Sequence, residues 1–254
     1  MNKHIFLINA IRLLGCYTQL PPQKFKYCAF FFYNMDPNKL FELLLEKIKG
    51  IKLDHPIRIG IDGVDGSGKT FFADAFAEYL QKLNRPIIRS TIDRFHNPKN
   101  VRYQQGENSP RGYYEDSFNT DKLVEKLLTP LGPNGSLKYQ HSLFDYRTDS
   151  QTDVPYEIAE RNAILVFDGI FLFTPKLSPF WDLRIFLDVP FETTIQRVQQ
   201  RVKDQEYLGS ENIVEKYKTR YIPGQKIYFE ESEPKKKADI IIDNTDYTNP
   251  SVLE

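Results

Sequence analysis

The sequence predicts a three-layer α/β fold around a five-stranded, mostly parallel sheet, on three observations. Five apolar runs recur along the chain: "IRIGID" (57–62), "PIIRSTID" (86–93), "AILVFDG" (163–169), "LRIFLDV" (183–189) and "ADIIIDN" (238–244). Helical patterns separate most of them: "KTFFADAFAEYLQKL", "NTDKLVEKLL", "FETTIQRVQQRV" and "ENIVEKYKTRYI". A glycine-rich turn joins the first run to the first of these helices. Nearly continuous Ile, Leu, Val and Phe suits strands covered on both faces, as in a parallel sheet. Strand alternating with helix then argues for a doubly wound sheet.

Residues 1–34 open with "MNKHIFLINAIRLLGC", whose apolar part is interrupted by Arg12, a poor fit to a secretory leader. Met35 begins a cleaner signal, "MDPNKLFELLLEKIKG". There Asp36 can cap a helix, Pro37 suits its first turn and Gly50 can end it. Residues 1–34 therefore read as an upstream extension outside the chemistry, and 35–254 as a single domain. Cys16 and Cys28 are the only cysteines, too few for a secreted disulfide framework, which points to the cytoplasm. Lysine plus arginine equals aspartate plus glutamate at 34 each, so no global field recruits a nucleic-acid polymer or an anionic membrane. No apolar run approaches the roughly 20 residues of a membrane span. A homo-oligomer is left open.

Four of the runs end in aspartate: Asp62, Asp93, Asp168 and Asp188. Ligands of open α/β sheets sit at the carboxyl ends of the strands, so these carboxylates crowd towards a site, although Asp188 reads equally well as a turn or cap residue. Between the second and third core strands lies a polar insertion, 94–162, rich in Tyr, Asn, Gly and Pro and able to hold a small hairpin. Insertions of that length are usually functional. The lysines of "EPKKKAD" read as a solvated approach to the last strand.

Gly63-Val64-Asp65-Gly66-Ser67-Gly68-Lys69-Thr70 matches G-x-x-x-x-G-K-[ST], the phosphate-binding P-loop. Glycines let successive backbone N–H groups turn inward around an anion, and the following helix adds its positive end. Lys69 then reaches the β- and γ-phosphates of a nucleoside triphosphate, and the Thr70 hydroxyl ligates Mg²⁺. A carboxylate at Asp65, inside such a loop, is unexpected: it points outward or bonds within the loop.

From Arg58 to Asp246 the chain resembles the uridine kinase and phosphoribulokinase group of P-loop kinases, bacterial uridine kinase-like proteins in particular. The resemblance rests on "GIDGVDGSGKT", "STIDRFHNP", "RGYYEDSFN", "LFDYRTDS", "LVFDGIFL", "FLDVPFETTIQRVQQR" and "ADIIIDNTD", in that order. It implies a kinase with ATP and Mg²⁺, in which Asp93 faces the transferable phosphate and accepts or orients the proton of an attacking hydroxyl. It implies that Asp168 stands near Mg²⁺. Arg197 and Arg201, four apart on one helix face, would belong to a lid at about 191–230 that closes on the phosphates. The acceptor is implied to meet the insertion: His96, Arg102, Asp116, Tyr146 and Arg147, with Asp116 holding ribose hydroxyls. Uridine or a related nucleoside is the best acceptor. Pantothenate or a sugar phosphate stays open, the latter because Arg102, Arg111 and Arg147 could supply cations. A non-kinase P-loop ATPase or nucleotide-responsive binding protein stays open too.

Overall fold

The computed structural model describes residues 36–200 and 213–253. Its first helix, α1 (Pro37–Lys49), has the expected ends: Asp36 accepts the Asn38 N–H at 3.0 Å, Pro37 lies in the first turn, and Gly50 follows the last. Leu40, Phe41, Leu44, Leu45 and Ile48 make its buried stripe, at the spacing of a helix lying on a core.

β1 (Ile57–Gly63) runs through the glycine-rich loop into α2 (Lys69–Leu80), and β2 (Ile87–Thr91) follows. Residues 92–163 then leave the sheet. They hold α3 (Lys99–Arg102), α4 (Pro110–Asp116), α5 (Thr120–Leu123, continued by a π turn, Val124–Leu128), β3 (Lys138–Tyr139), β4 (Phe144–Asp145), β5 (Ser150–Gln151) and β6 (Glu157–Ile158). The chain returns through β7 (Ile164–Asp168) and β8 (Leu183–Asp188) to α6 (Phe191–Gln200). Beyond it come α7 (Ile213–Lys216, with a π turn, Tyr217–Tyr221), α8 (Ile222–Ser232), α9 (Pro234–Lys237), β9 (Ile240–Asp243) and β10 (Ser251–Val252).

The main sheet runs β10-β9-β8-β1-β7-β2. All five expected strands are present and pair in parallel. A sixth strand corrects the expected count: β10 pairs antiparallel with β9. Two residues are too few to show an alternating pattern, and β10 forms because β9 would otherwise leave an edge unpaired; Leu253 N–H closes on the Ile241 carbonyl at 2.8 Å. The expected hairpin in the insertion is two small ribbons, β3 with β6 and β4 with β5.

Side-chain alternation along the strands assigns the two faces. Ile57, Ile59, Ile61, Ile164, Val166, Ile185 and Ile240 point to one side, where α1 and α2 bring Phe41, Phe72 and Phe76. Leu165, Phe167, Phe186 and Ile241 point to the other, against Phe95, Phe173, Trp181 and Tyr228. β1 presents Arg58, Gly60 and Asp62 to that second face. Gly60 is required there: an added Cβ would lie 2.7 Å from the Trp181 ring. Arg58, buried, forks onto Asp182 at 3.0 Å.

One further reading is corrected, and one helix is added. The helical pattern read from the sequence stops at Ile222, where α8 begins. In the structure Pro223 falls in the helix's first turn, and Gly224 lets α8 approach α4, since a Cβ there would meet the Pro110 carbonyl at 2.7 Å. The lysine run is not simply solvated either. Lys235 pairs with Asp188 at 2.7 Å, and Lys237 donates to the Phe173 carbonyl at 2.8 Å.

Candidate active site

The parallel register sets the site. Asp168 lies level with Ile61 of β1 and Thr91 of β2. The loop after β1, the turn after β2 and the last residue of β7 therefore emerge side by side, at the sheet's carboxyl edge.

The loop's shape comes from its glycines. Gly68 caps α2 with φ +91°, and at Gly63, φ +156°, a Cβ would sit 2.6 Å from the Leu187 carbonyl. Arg197 Nη1 donates to the carbonyls of Gly66 (3.3 Å) and Ser67 (3.1 Å), and Asn244 Nδ2 to that of Ser67 (2.8 Å). A trans peptide points its N–H opposite to its C=O, so the Gly68 N–H is turned away from these donors. Lys69 Nζ donates to the Val64 carbonyl at 2.9 Å. Ser67 Oγ is buried with no hydrogen-bond partner among the described residues. A glycine loop with the Gly68 N–H turned from these donors, the start of α2 behind it and a lysine folded over it suits a polyphosphate.

Thr70 Oγ1 donates to Asp168 Oδ2 at 2.8 Å. Asp168 is 2% exposed; its Oδ1 has no aligned hydrogen bond among the described residues, although Arg89 Nη2 stands 2.7 Å away as an ion pair. A hydroxyl beside a buried carboxylate, at the mouth of a phosphate cradle, is an oxygen donor set that would suit Mg²⁺. Among the described residues no three His, Cys, Asp or Glu side chains gather to hold a metal on their own.

Asp93 lies in the 3₁₀ turn Ile92–Phe95, capped by Thr91 rather than by itself. With Asp65, Gly66, Gly68, Lys69, Thr70 and Asp168 it lines one cavity of about 260 Å³. The insertion and the chain after α6 supply the opposite wall, including His96, Arg102, Tyr103, Tyr113, Tyr146 and Tyr221. Asp116, Arg147 and Arg111 are not among its lining residues. Asp116 accepts from Gln105 at 2.8 Å, and Arg111 pairs with Glu231 outside.

His96 stacks near Phe118 (4.5 Å between centroids) and Tyr146 (5.3 Å). Burial lowers its pKa to about 4, with the charge of Arg102 adding to the effect. Its Nδ1 meets the Asp93 carbonyl at 3.0 Å; a carbonyl only accepts, so Nδ1 carries the proton and Nε2 is an acceptor. Arg102 reaches Asp149 at 2.7 Å, while its Nε is buried without a partner among the described residues.

The Asp65 carboxylate does not bond within the loop. It accepts from the Tyr113 hydroxyl and from Gln225 Nε2. Asp62 is fully buried, bonded to Tyr228, Gly63 N–H and Phe173 N–H, and burial raises its pKa to about 6. Arg197 lies against the outer side of the loop, also donating to the Asn244 and Thr245 carbonyls, and lines a second, mainly apolar cavity of about 500 Å³ with Phe71, Tyr247 and Pro250. Arg201 lies outside the described residues.

The profile of the cytidylate kinase-like family matches residues 58–246, from the first core strand to just past the last. The chain belongs to the cytidylate kinase-like family. Among curated relatives it is similar to a uridine kinase of Bacillus cytotoxicus, 26% identical over 74% of this chain and 85% of that one. A uridine kinase of Ligilactobacillus salivarius is 25% identical, over 74% and 84%. Among solved structures, a possible uridine kinase from Bacillus stearothermophilus superposes with a TM-score of 0.64 at 22% identity, covering 80% of this chain and 97% of that one. A putative fructose transport system kinase from Silicibacter sp. TM1040 gives 0.63 at 20%, covering 78% and 96%. This cytidylate kinase-like chain is a P-loop small-molecule kinase. Further residues complete its site: Gln225, Tyr228 and Asn244 were not singled out from the sequence, being polar side chains whose partners Asp65, Asp62 and Ser67 lie far along the chain. Tyr103 and Tyr113, unlike Tyr114, reach the cavity.

Proposed function

We propose that the protein transfers the γ-phosphoryl of ATP to a primary hydroxyl of a neutral, ring-bearing small molecule, best a nucleoside such as uridine, giving the 5′-monophosphate. The observation that carries this reading is that Asp93 shares one cavity with the phosphate loop and with a wall of aromatic rings. The loop amides and Lys69 hold the polyphosphate. Thr70 and Asp168 hold Mg²⁺, which supplies charge neutralisation on the transferring group. Asp93 takes the hydroxyl proton as the acceptor oxygen bonds to phosphorus and ADP leaves. A flat base fits the second cavity, between Phe71, Tyr247 and the Arg197 guanidinium, which shares Gly66 and Gly68 with the first. The segment of about 191–230, of which 201–212 lie outside the described residues, serves as the lid, and the cytoplasm is the setting where ATP is supplied.

The charges favour a neutral acceptor over a sugar phosphate. Of the three arginines that could serve a second phosphate, Arg102 alone lines the cavity, and Asp149 already engages it. The test incubates the protein with labelled ATP, Mg²⁺ and a panel of nucleosides, pantothenate and sugar phosphates. Labelled nucleoside monophosphate is expected. Label appearing only in inorganic phosphate would mean an ATPase and end this reading, whereas label on a sugar phosphate would keep the kinase and replace the acceptor.

A further inference from the structure

A carboxylate beside bound phosphates repels them, and Asp65 stands two residues after the first glycine of the loop. The structure gives it other work. Gln225 of α8 grips this residue twice: its Oε1 accepts the Asp65 N–H at 3.0 Å, and its Nε2 donates to Asp65 Oδ2 at 3.3 Å. The same oxygen accepts from the Tyr113 hydroxyl of α4. One amide of the loop is thus committed to α8, and one carboxylate oxygen joins two helices that lie 48 and 160 residues away in sequence.

The partners are themselves immobilised. Gln225 is 1% exposed and spends its other amide hydrogen on the Tyr221 carbonyl at 3.1 Å. Tyr113 is buried between Phe171 and Tyr221, with ring centroids 5.3 and 4.8 Å away. Burial, and then the charge of Asp65, raise its pKa well above the ordinary value, so its hydroxyl stays a donor. At Gly224 the two helices touch with no space for a methyl group. The two helices are therefore closely packed, and this junction ties them to the loop itself, beside the bond from Tyr228 of α8 to Asp62 at the loop's base. Tyr113 and Asp65 both line the cavity that holds Asp93.

We propose that Asp65 is a positioning residue that couples α4 and α8 to the phosphate loop, so that seating a polyphosphate also tightens the opposite wall of the cavity. The coupling rests on the reading that the loop binds a nucleotide. A ligand that orders one member of such a junction lowers the free energy of ordering the others.

Hydrogen–deuterium exchange on the full chain tests it, with Mg²⁺ and the β,γ-imido analogue of ATP as the probe. In the parent protein the analogue should slow exchange in 63–70 and, by about tenfold, in 110–116. In Tyr113→Phe the response of 63–70 should persist and that of 110–116 should fall below about twofold. A purely structural role would change exchange in α4 equally with and without the analogue. Should Tyr113→Phe not fold, Asp65→Ala replaces it with the same loss expected in 110–116. An unaffected 110–116 in the parent, or an equal response in the variants, overturns the coupling. An analogue that leaves even 63–70 of the parent unchanged would instead strike at the nucleotide reading.

Discussion

The phosphate loop and the insertion face each other across one cavity, yet they are held by different means. The loop is fixed through its own backbone groups: strand register sets its start, and the side chains of Arg197 and Asn244 hold its carbonyls. The insertion has little regular structure and is held by side chains. Arg102 pairs with Asp149, Arg111 with Glu231 and Lys216 with Glu107, while Arg220 holds the Arg102, Gly106 and Glu107 carbonyls. Backbone-fixed geometry serves a ligand that never changes, and side-chain contacts can be rewritten as the acceptor changes without disturbing the cradle.

The largest expected effect lies where the two regions meet. Asp93→Asn should lower kcat by about 10²–10⁴-fold while nucleotide affinity stays within about threefold, read by single-turnover phosphoryl transfer and by nucleotide titration. Affinity falling as far as kcat would mean that Asp93 belongs to the cradle rather than to the chemistry.

On the loop side, Gly63→Ala forces a Cβ against the Leu187 carbonyl. A loss of about 1–3 kcal/mol in denaturant unfolding is expected from that strain.

The two regions should also answer pH in opposite directions. Asp62 has a folded pKa raised to about 6, so its contribution is complete below the unfolded value of 3.8 and is lost as pH rises through about 6. His96 has a folded pKa lowered to about 4, so its contribution is complete above 6.5 and is lost as pH falls through about 4. Between pH 6.5 and 4 the two slopes oppose each other. Asp62→Asn should make stability fall more steeply on acidification than in the parent, and His96→Gln less steeply, in unfolding curves measured at each pH. Identical slopes in all three proteins would contradict both assignments.

The smallest effect is expected at the insertion's surface. Asp149→Ala should cost less than about 1 kcal/mol of stability. It should raise the acceptor KM a few-fold while leaving the nucleotide KM unchanged.

The contrast between the regions also explains what could be read in the sequence. The five core strands, α1 and the loop were legible because buried strands, caps and a glycine cradle leave local, periodic marks. Lys69 and Thr70 stood out in the loop motif and Asp93 and Asp168 at the ends of apolar runs, while the roles expected of the two aspartates came through family resemblance. His96, Arg102 and Tyr146 came only through family resemblance, and the cavity gathers them, whereas Asp116 and Arg147 fall outside its lining. Arg197 was expected over the phosphates and lies against the outer side of the loop. The partners of Asp65 were invisible, because no local pattern announces that Tyr113 and Gln225 will converge on it. α8 went unmarked, because the helical pattern read from the sequence stops at Ile222, and the glycine at 224 is explained only by close packing against α4.

Arg89 has a consequence for how the enzyme is loaded. It sits beside Asp168 and also reaches Asp74 at 2.8 Å, so the carboxylate proposed to meet Mg²⁺ already has a cation beside it. A bare divalent ion would find there one compensated anion and one hydroxyl, a weak invitation against its own hydration shell. The protein on this reading would sequester no magnesium between turnovers, and each cation would enter and depart in the company of the nucleotide.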